Sequence, residues 1–218
     1  MSRSSLLLCV FLAACAADVG DGKAKATVSE VPNAPTPPSA PATDGFVVPA
    51  LTAAKLLDVD VAQSKLGALG AKITAQHPIV FHEFAGKVGL EGDTVTGVAF
   101  SAKIASLEAD QERLTGHLKK PDFLDAVAYP YATFGSTEIK QQIAKDGTTD
   151  TVTGDLTIHG VTKRVTFPAT ILVDATKVFA SAEFVINRQD FGVTYPGKPD
   201  DLVQDNVVIQ VSFVAPRN

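Results

Sequence analysis

Apolar and polar residues alternate along much of the chain, and the pattern begins at about residue 50. Residues 98–104, 152–158 and 207–213 show it most cleanly. A period of two puts successive side chains on opposite faces of a strand, so each stretch predicts a strand with one buried face. In total, the pattern predicts eight or nine strands, near residues 56–61, 65–75, 80–90, 94–106, 130–142, 150–158, 163–174, 177–188 and 205–215.

The links between these segments are short, which favours an antiparallel up-and-down arrangement. His159-Gly160 separates two strands and predicts a tight hairpin turn. The exception is 107–129, where residues 108–118 and 122–127 predict two short helices around a proline. The expected fold for residues 50–218 is therefore all-β, an eight-stranded up-and-down β-barrel with a short helical insertion, because a closed barrel leaves no sheet edge exposed. A two-sheet sandwich is the alternative.

The interior of an eight-stranded barrel is either filled by side chains or wide enough for one ligand. Small residues are frequent at the positions expected to face inward: Ala99 or Ala102, Gly154, Ala169, Ala180 and Ala182. Phenylalanines would supply the apolar wall of a pocket: Phe100, Phe123, Phe134, Phe167, Phe184, Phe191 and Phe213. A barrel packed to its tapered ends would use the same small residues, so both interiors stay open.

The N-terminus has the pattern of a bacterial secretion signal. Arg3 and two serines precede an apolar run, Leu6 to Ala14, that is too short to span a bilayer. The run ends in Leu12-Ala13-Ala14-Cys15, which resembles the lipobox of bacterial lipoproteins, where the cysteine is acylated. We expect residues 1–14 to be a signal peptide and Cys15 to anchor the mature chain in a membrane. An ordinary signal that leaves Cys15 as a free thiol is the alternative.

Residues 15–49 have the composition of a disordered tether. They are rich in alanine, proline and threonine, with a proline cluster from Pro32 to Pro41. Such segments stay extended and would hold the domain away from the membrane. The anchor predicts a position in the bacterial cell envelope, on the periplasmic side, and Ala16 after the cysteine favours the outer membrane over the inner. The sequence leaves the oligomeric state open, with a homodimer as one option.

Charge and motif content exclude several classes of function. The chain carries a net charge of −5, which disfavours nucleic acid as a partner. It contains no nucleophile elbow, zinc-type His-Glu motif or glycine-rich phosphate loop. We therefore predict no catalytic residues, no metal site and no cofactor.

Two polar residues are candidates to orient a ligand at one end of the predicted pocket. Arg188 either binds a phosphate or carbonyl group with its guanidinium or forms a salt bridge to Asp190 or Asp155. His117 either donates to a ligand head group or satisfies the backbone at a turn.

Three separated motifs follow one another in this chain. The first is Gly116-His117-Leu118-Lys119-Lys120-Pro121-Asp122-Phe123-Leu124, with Tyr129-Pro130 and residues 132–137 after it; the second covers residues 152–163, and the third covers residues 186–193. Together they resemble the YceI-like family of lipid- and polyisoprenoid-binding proteins, over about residues 55–214. The resemblance implies a lipocalin-like barrel whose apolar bore holds an isoprenoid chain, with a polar end group near the mouth. Leu114-Thr115 and Phe123-Leu124 depart from the common pattern, so no head-group preference is implied.

Two functions follow from these expectations. In the first, the barrel binds or carries a long isoprenoid-like lipid, either an isoprenoid quinone or a polyprenyl phosphate, without catalysis. In the second, the barrel is fully packed and acts as a cell-envelope interaction or stress-response module without a ligand. The size of the internal cavity separates the two.

Overall fold

The computed structural model of this chain describes residues 17–32, 45–142 and 147–217. One antiparallel sheet of twelve strands curls around a large apolar core, and two further strands form a small ribbon. The strands are β1 (Thr27–Glu30), β2 (Lys55–Asp58), β3 (Lys65–Lys72), β4 (Ala75–Phe81), β5 (Phe84–Glu91), β6 (Thr94–Lys103), β7 (Leu107–Ala109), β8 (Tyr131–Gln141), β9 (Asp150–Ile158), β10 (Val161–Val173), β11 (Lys177–Asn187), β12 (Gly197–Lys198), β13 (Asp201–Leu202) and β14 (Asn206–Pro216). The α-helix α1 covers Glu112–Leu118.

The strand order is that of an up-and-down barrel. It runs β2-β5-β6-β8-β9-β10-β11-β14-β3-β4-β7, and β1 is added beside β10. The last long strand, β14, pairs with the first long strand, β3, from Val208↔Leu69 to Ser212↔Lys65. The ladder begins at β2 and ends at β7, so the sheet curls into a barrel without a closing strand pair. The antiparallel all-β prediction is confirmed, as one curled sheet rather than a sandwich.

The predicted number of eight strands is wrong by one long strand. Nine strands have seven or more residues. The difference lies in residues 65–91, where the chain forms β3, β4 and β5 instead of two strands. The pattern does not predict β4 as a separate strand, because Gln76, His77 and Pro78 interrupt its apolar positions. The short strands β1, β2 and β7 complete the sheet.

The turn and helix predictions had mixed outcomes. The hairpin at His159-Gly160 is confirmed, and both residues adopt positive φ, +49° and +73°. The first predicted helix is confirmed only as the shorter α1. The second, over 122–127, is wrong: Asp125 has φ +43° and the segment forms successive turns, because a left-handed residue ends a right-handed helix. Among the described residues, no helix has the length and apolarity needed to cross a membrane.

The segment before β2 lies on the outer face of the sheet, over glycines. A Cβ at Gly97 would lie 2.9 Å from Leu51 Cδ2, and one at Gly89 would lie 2.8 Å from Ala53 Cβ. The absence of side chains at these glycines lets the segment approach closely. A Cβ at Gly135 would likewise lie 2.9 Å from Pro49, so the folded unit begins before the predicted boundary at residue 50.

Residues 17–32 are also ordered, although they were predicted to be disordered tether. Val19 is 3% exposed and packs with Val185 and Val208. β1 pairs with β10 over four residues. We call residues 17–32 the strap. The tether prediction is wrong for these residues because their partners lie far along the chain, where local composition gives no sign of them. The predictions for residues 1–16 and 33–44 fall outside the described residues.

Candidate functional site

The core contains a small, partly open apolar cavity, which we call the bore. Its volume is about 50 Å³. An apolar cavity that binds benzene has a volume of about 150 Å³, so the bore is nearly filled. Its lining consists of Val98, Phe100, Phe134, Val152, Leu156, Phe167, Ala169, Ile171, Ala180, Ser181, Ala182, Phe184, Ile209, Val211 and Phe213.

A column of six phenylalanine rings in mutual contact runs through the core inside the sheet. In order of contact the rings are those of Phe84, Phe213, Phe100, Phe134, Phe167 and Phe184. Phe167 and Phe184 stack face to face with centroids 3.9 Å apart, and the other neighbours are 5.5–5.8 Å apart. Gly154 makes room for one ring, since a Cβ there would lie 2.5 Å from Phe134 Cζ. The column forms a continuous apolar wall from β5 to β11.

The structure brings six of the ten predicted pocket residues to the bore. These are Phe100, Phe134, Phe167, Ala182, Phe184 and Phe213. Phe191 is fully buried in the same core but does not line the cavity. The sequence prediction omitted Val98, Val152, Leu156, Ile209 and Val211, although strand alternation puts them on the same face as the residues it named. A role in ligand binding stays a prediction for all of them.

Phe123 and His117 lie outside the bore, in a second cluster around α1. Phe123 belongs to a core group that includes Leu118. His117 Nε2 lies 2.9 Å from Asp122 Oδ2, and its ring packs against Phe123 and Tyr195 with centroid distances of 5.4 and 4.8 Å. The hydrogen bond to His117 lowers the pKa of the Asp122 carboxyl. The imidazole therefore joins α1 to neighbouring loops instead of facing the bore.

Arg188 is buried and bound entirely by the protein. It is 5% exposed and donates to the carbonyls of Gln204 at 3.0 Å, Val193 at 2.5 Å and Val203 at 3.3 Å. Its salt bridge is to Asp205, at 2.9 Å. Burial lowers the pKa of the Arg188 guanidinium.

The salt bridge predicted for Arg188 therefore has a different partner from the two proposed. Asp155 binds Arg164 instead, with two hydrogen bonds of 2.8 and 3.0 Å. Asp205 becomes the partner because the connection from β11 to β14 folds back beside Arg188. The guanidinium holds that connection in place.

Replacing Arg188 with glutamine should destabilise the fold by about 2–3 kcal/mol, because several buried acceptors lose their donor. Arg113→Gln, at an exposed position on α1, is the matched control and should change stability by less than about 0.5 kcal/mol. Urea unfolding measures both. Equal midpoints for the two variants would show that the Arg188 contacts contribute nothing.

A wide groove lies outside the sheet, next to the bore. Its volume is about 850 Å³, and it shares Ala169, Ser181, Ala182 and Val211 with the bore lining. Strap residues 21–24 form another part of its wall. Lys23 of the strap pairs with Glu183, and this hydrogen bond holds the pKa of the Glu183 carboxyl below its usual value. Only small side chains thus separate the bore from open space at this point.

Solved structures share this architecture. The crystal structure of BcnA from Burkholderia cenocepacia matches with 28% identity and a TM-score of 0.64, over 72% of this chain and 99% of BcnA. A polyisoprenoid binding domain from Saccharophagus degradans matches with 14% identity and a TM-score of 0.59, over 74% of this chain and 99% of that domain. The second likeness is one of fold alone.

Sequence comparison leads to the same group of proteins. A UPF0312 protein of Pseudomonas putida F1 is 35% identical over 119 residues, which are 52% of this chain and 60% of that protein. The match thus spans less than two thirds of the relative's length. The family model for the YceI-like domain matches residues 57–215. The chain therefore belongs to the YceI-like family.

Proposed function

We propose that this domain binds a long isoprenoid-like lipid, such as an isoprenoid quinone or a polyprenyl phosphate, in its bore and performs no chemistry on it. The observation that carries the proposal is the continuous apolar lining formed by the phenylalanine column and the small residues beside it. The fold is shared with a domain described as polyisoprenoid binding, which supports the same class of ligand.

The bore must widen to accept such a chain, since its present volume is about 50 Å³. Burying about 300 Å² of apolar ligand surface would yield about 7.5 kcal/mol. Part of that free energy is offset by ordering the ligand and by parting the side chains that now touch. A binding protein of this kind is therefore packed when empty and opens when loaded.

Binding is tested by adding all-trans-retinol, a fluorescent isoprenoid, to the purified full chain. The proposal expects a saturable rise in fluorescence with one site per chain. A rise that is linear and is matched by an unrelated acidic protein would contradict it.

The second candidate function is that of a packed interaction module without a ligand. The small volume of the bore is the observation that favours it. The two candidates differ in the retinol experiment, because a module that stays packed takes up no isoprenoid at any concentration.

We also propose that the chain is lipid-anchored at Cys15 on the periplasmic side of the cell envelope, with the outer membrane preferred. The ordered strap changes the geometry expected of such an anchor. Ala17, two positions after Cys15, already accepts a hydrogen bond from Gln204. An extended chain spans about 7 Å over two residues, so the barrel would rest at the membrane instead of being held away from it.

Cys15→Ser should move the protein from the membrane to the soluble fraction and abolish incorporation of labelled palmitate, because the several acyl chains of a lipoprotein each contribute about 0.8 kcal/mol per buried methylene to membrane binding. Cys9→Ser, which changes a residue inside the predicted signal, is the control and should retain both properties. Palmitate incorporated into the Cys15→Ser protein would contradict the proposed anchor.

A further inference from the structure

The ladder between β10 and β11 is short and leaves a gap in the wall of the barrel. These neighbouring strands pair over four residues next to their turn, from Thr170↔Ser181 to Val173↔Val178. β11 and β14, by contrast, pair over eleven residues. Residues 161–169 of β10 and 182–187 of β11 do not pair with each other, and we call the gap between them the seam.

Pro168 helps to keep the seam unpaired. The Ala169 carbonyl accepts a hydrogen bond from the Thr149 amide at 3.0 Å, so the peptide groups of Ala169 face β9. Backbone groups alternate in direction along a strand, and those of Pro168 therefore face β11. Proline has no N–H to donate, so the ladder between β10 and β11 would lack a hydrogen bond at this residue.

The strap occupies the seam and bonds to both of its edges. The Ala26 amide donates to the Val185 carbonyl, and the Val185 amide donates to the Ala24 carbonyl, each at 2.9 Å. On the other side, Thr27–Glu30 pairs with residues 163–166 of β10. Ala26 and Val28 pack against the main core. The strap thus takes the place of the missing ladder between β10 and β11.

The seam also lies between the bore and the groove. On its inner side stand the stacked rings of Phe167 and Phe184, which line the bore. Ala169 and Ala182 line the bore and the groove alike. A lipid chain that passes between these two alanines would reach the bore from the side, with its polar end left in the groove.

We propose that an isoprenoid chain enters the bore sideways through the seam, and that strap residues 24–30 leave β10 and β11 when it does. The inference rests on the proposed lipid-binding function. In the empty protein, Ala26 and Val28 cover apolar surface that the ligand covers in the loaded protein. The strap lies outside residues 57–215, which match the family model, and its release breaks no strand pairing among those residues.

A reversible disulfide tests the proposal on the full chain. Thr27 and Thr166 are directly opposed in the β1–β10 register, and opposed antiparallel residues have the Cα spacing that a disulfide requires. Cys9→Ser and Cys15→Ser remove both natural cysteines. In this background, oxidised Thr27→Cys/Thr166→Cys should bind all-trans-retinol about tenfold or more weakly than the same protein after reduction, because the displaced state is excluded.

Thr157→Cys/Thr162→Cys is the matched control. These residues are opposed in the β9–β10 register, and their hydroxyl oxygens are 2.8 Å apart. This disulfide locks a hairpin that is already continuous, so oxidation should leave retinol binding unchanged.

The outcomes separate this proposal from the proposed function. Equal retinol affinity of the strap-locked protein in both redox states would overturn strap displacement and leave lipid binding standing. If neither the parent protein nor any reduced variant binds retinol, the proposed lipid binding is contradicted, and strap displacement is contradicted with it. Hydrogen exchange of the parent gives a second measure: the Ala26 and Val185 amides should lose protection when retinol binds, and unchanged protection would overturn the proposal.

Discussion

Ala182→Phe should abolish most isoprenoid binding while the barrel remains folded. Ala182 lines both the bore and the groove, and a benzyl group there would occupy the space of about four ligand methylenes. At about 0.8 kcal/mol per methylene, the affinity for retinol should fall by about 200-fold. Extra volume in the core should also cost about 1–3 kcal/mol of stability.

The control for this variant is Ala105→Phe, which adds the same group at an exposed position. It should bind retinol like the parent. Far-ultraviolet circular dichroism and urea unfolding establish that both variants are folded. A folded Ala182→Phe protein with parental affinity would place the ligand elsewhere.

Phe213→Ala should cause the largest loss of stability of any single change considered for this chain, about 3–5 kcal/mol. Phe213 is 1% exposed and contacts two other members of the column, Phe84 and Phe100, at ring centroid distances of 5.8 and 5.6 Å. Its removal leaves a cavity in the middle of β14 that strands on both sides prevent from collapsing. Urea unfolding of the full chain measures the loss.

Leu172→Ala provides the comparison. Because Leu172 is 54% exposed, this substitution should change the free energy of unfolding by no more than about 0.5 kcal/mol. The larger bore of Phe213→Ala should also bind retinol at least as tightly as the parent. A loss below about 1 kcal/mol would mean that the column is not the centre of the core.

The strands of the barrel were predictable wherever burial of one face imposes a period of two. Residues 207–213 on β14 show why: Val207, Ile209, Val211 and Phe213 all lie on the core side. The same rule failed at β4, because exposed Pro78 and buried His77 do not follow the apolar pattern. Local patterning therefore predicts strands that are half-buried and regular, and misses a short strand with mixed residues.

The strap could not be predicted, because its order depends on the rest of the sheet. Residues 24–30 contain alanine, lysine, threonine, valine, serine and glutamate, and their composition alone suggests no structure. They become a strand because β10 and β11 leave backbone groups unpaired at the seam. Pro168 is the local feature that indicates an interrupted ladder on β10, but it does not indicate which segment pairs there instead.

The candidate site was predictable in its residue types more than in its volume. Six of the seven phenylalanines named from the sequence do meet in one core, but the bore is nearly closed because Phe167 and Phe184 stack directly on each other. Ring orientation depends on tertiary packing, which the sequence pattern does not contain. Arg188 illustrates the same limit, since its partner Asp205 is set by how the connection to β14 folds back.

Native mass spectrometry of the full chain, purified from bacterial membranes without removal of lipid, is the decisive test of lipid binding. We expect one bound molecule per chain, identified as an isoprenoid after extraction with organic solvent, and a lower ligand content in Ala182→Phe. A chain that emerges without ligand, and that also takes up no added quinone or polyprenyl phosphate, would contradict lipid binding and leave the packed interaction module as the function of this barrel.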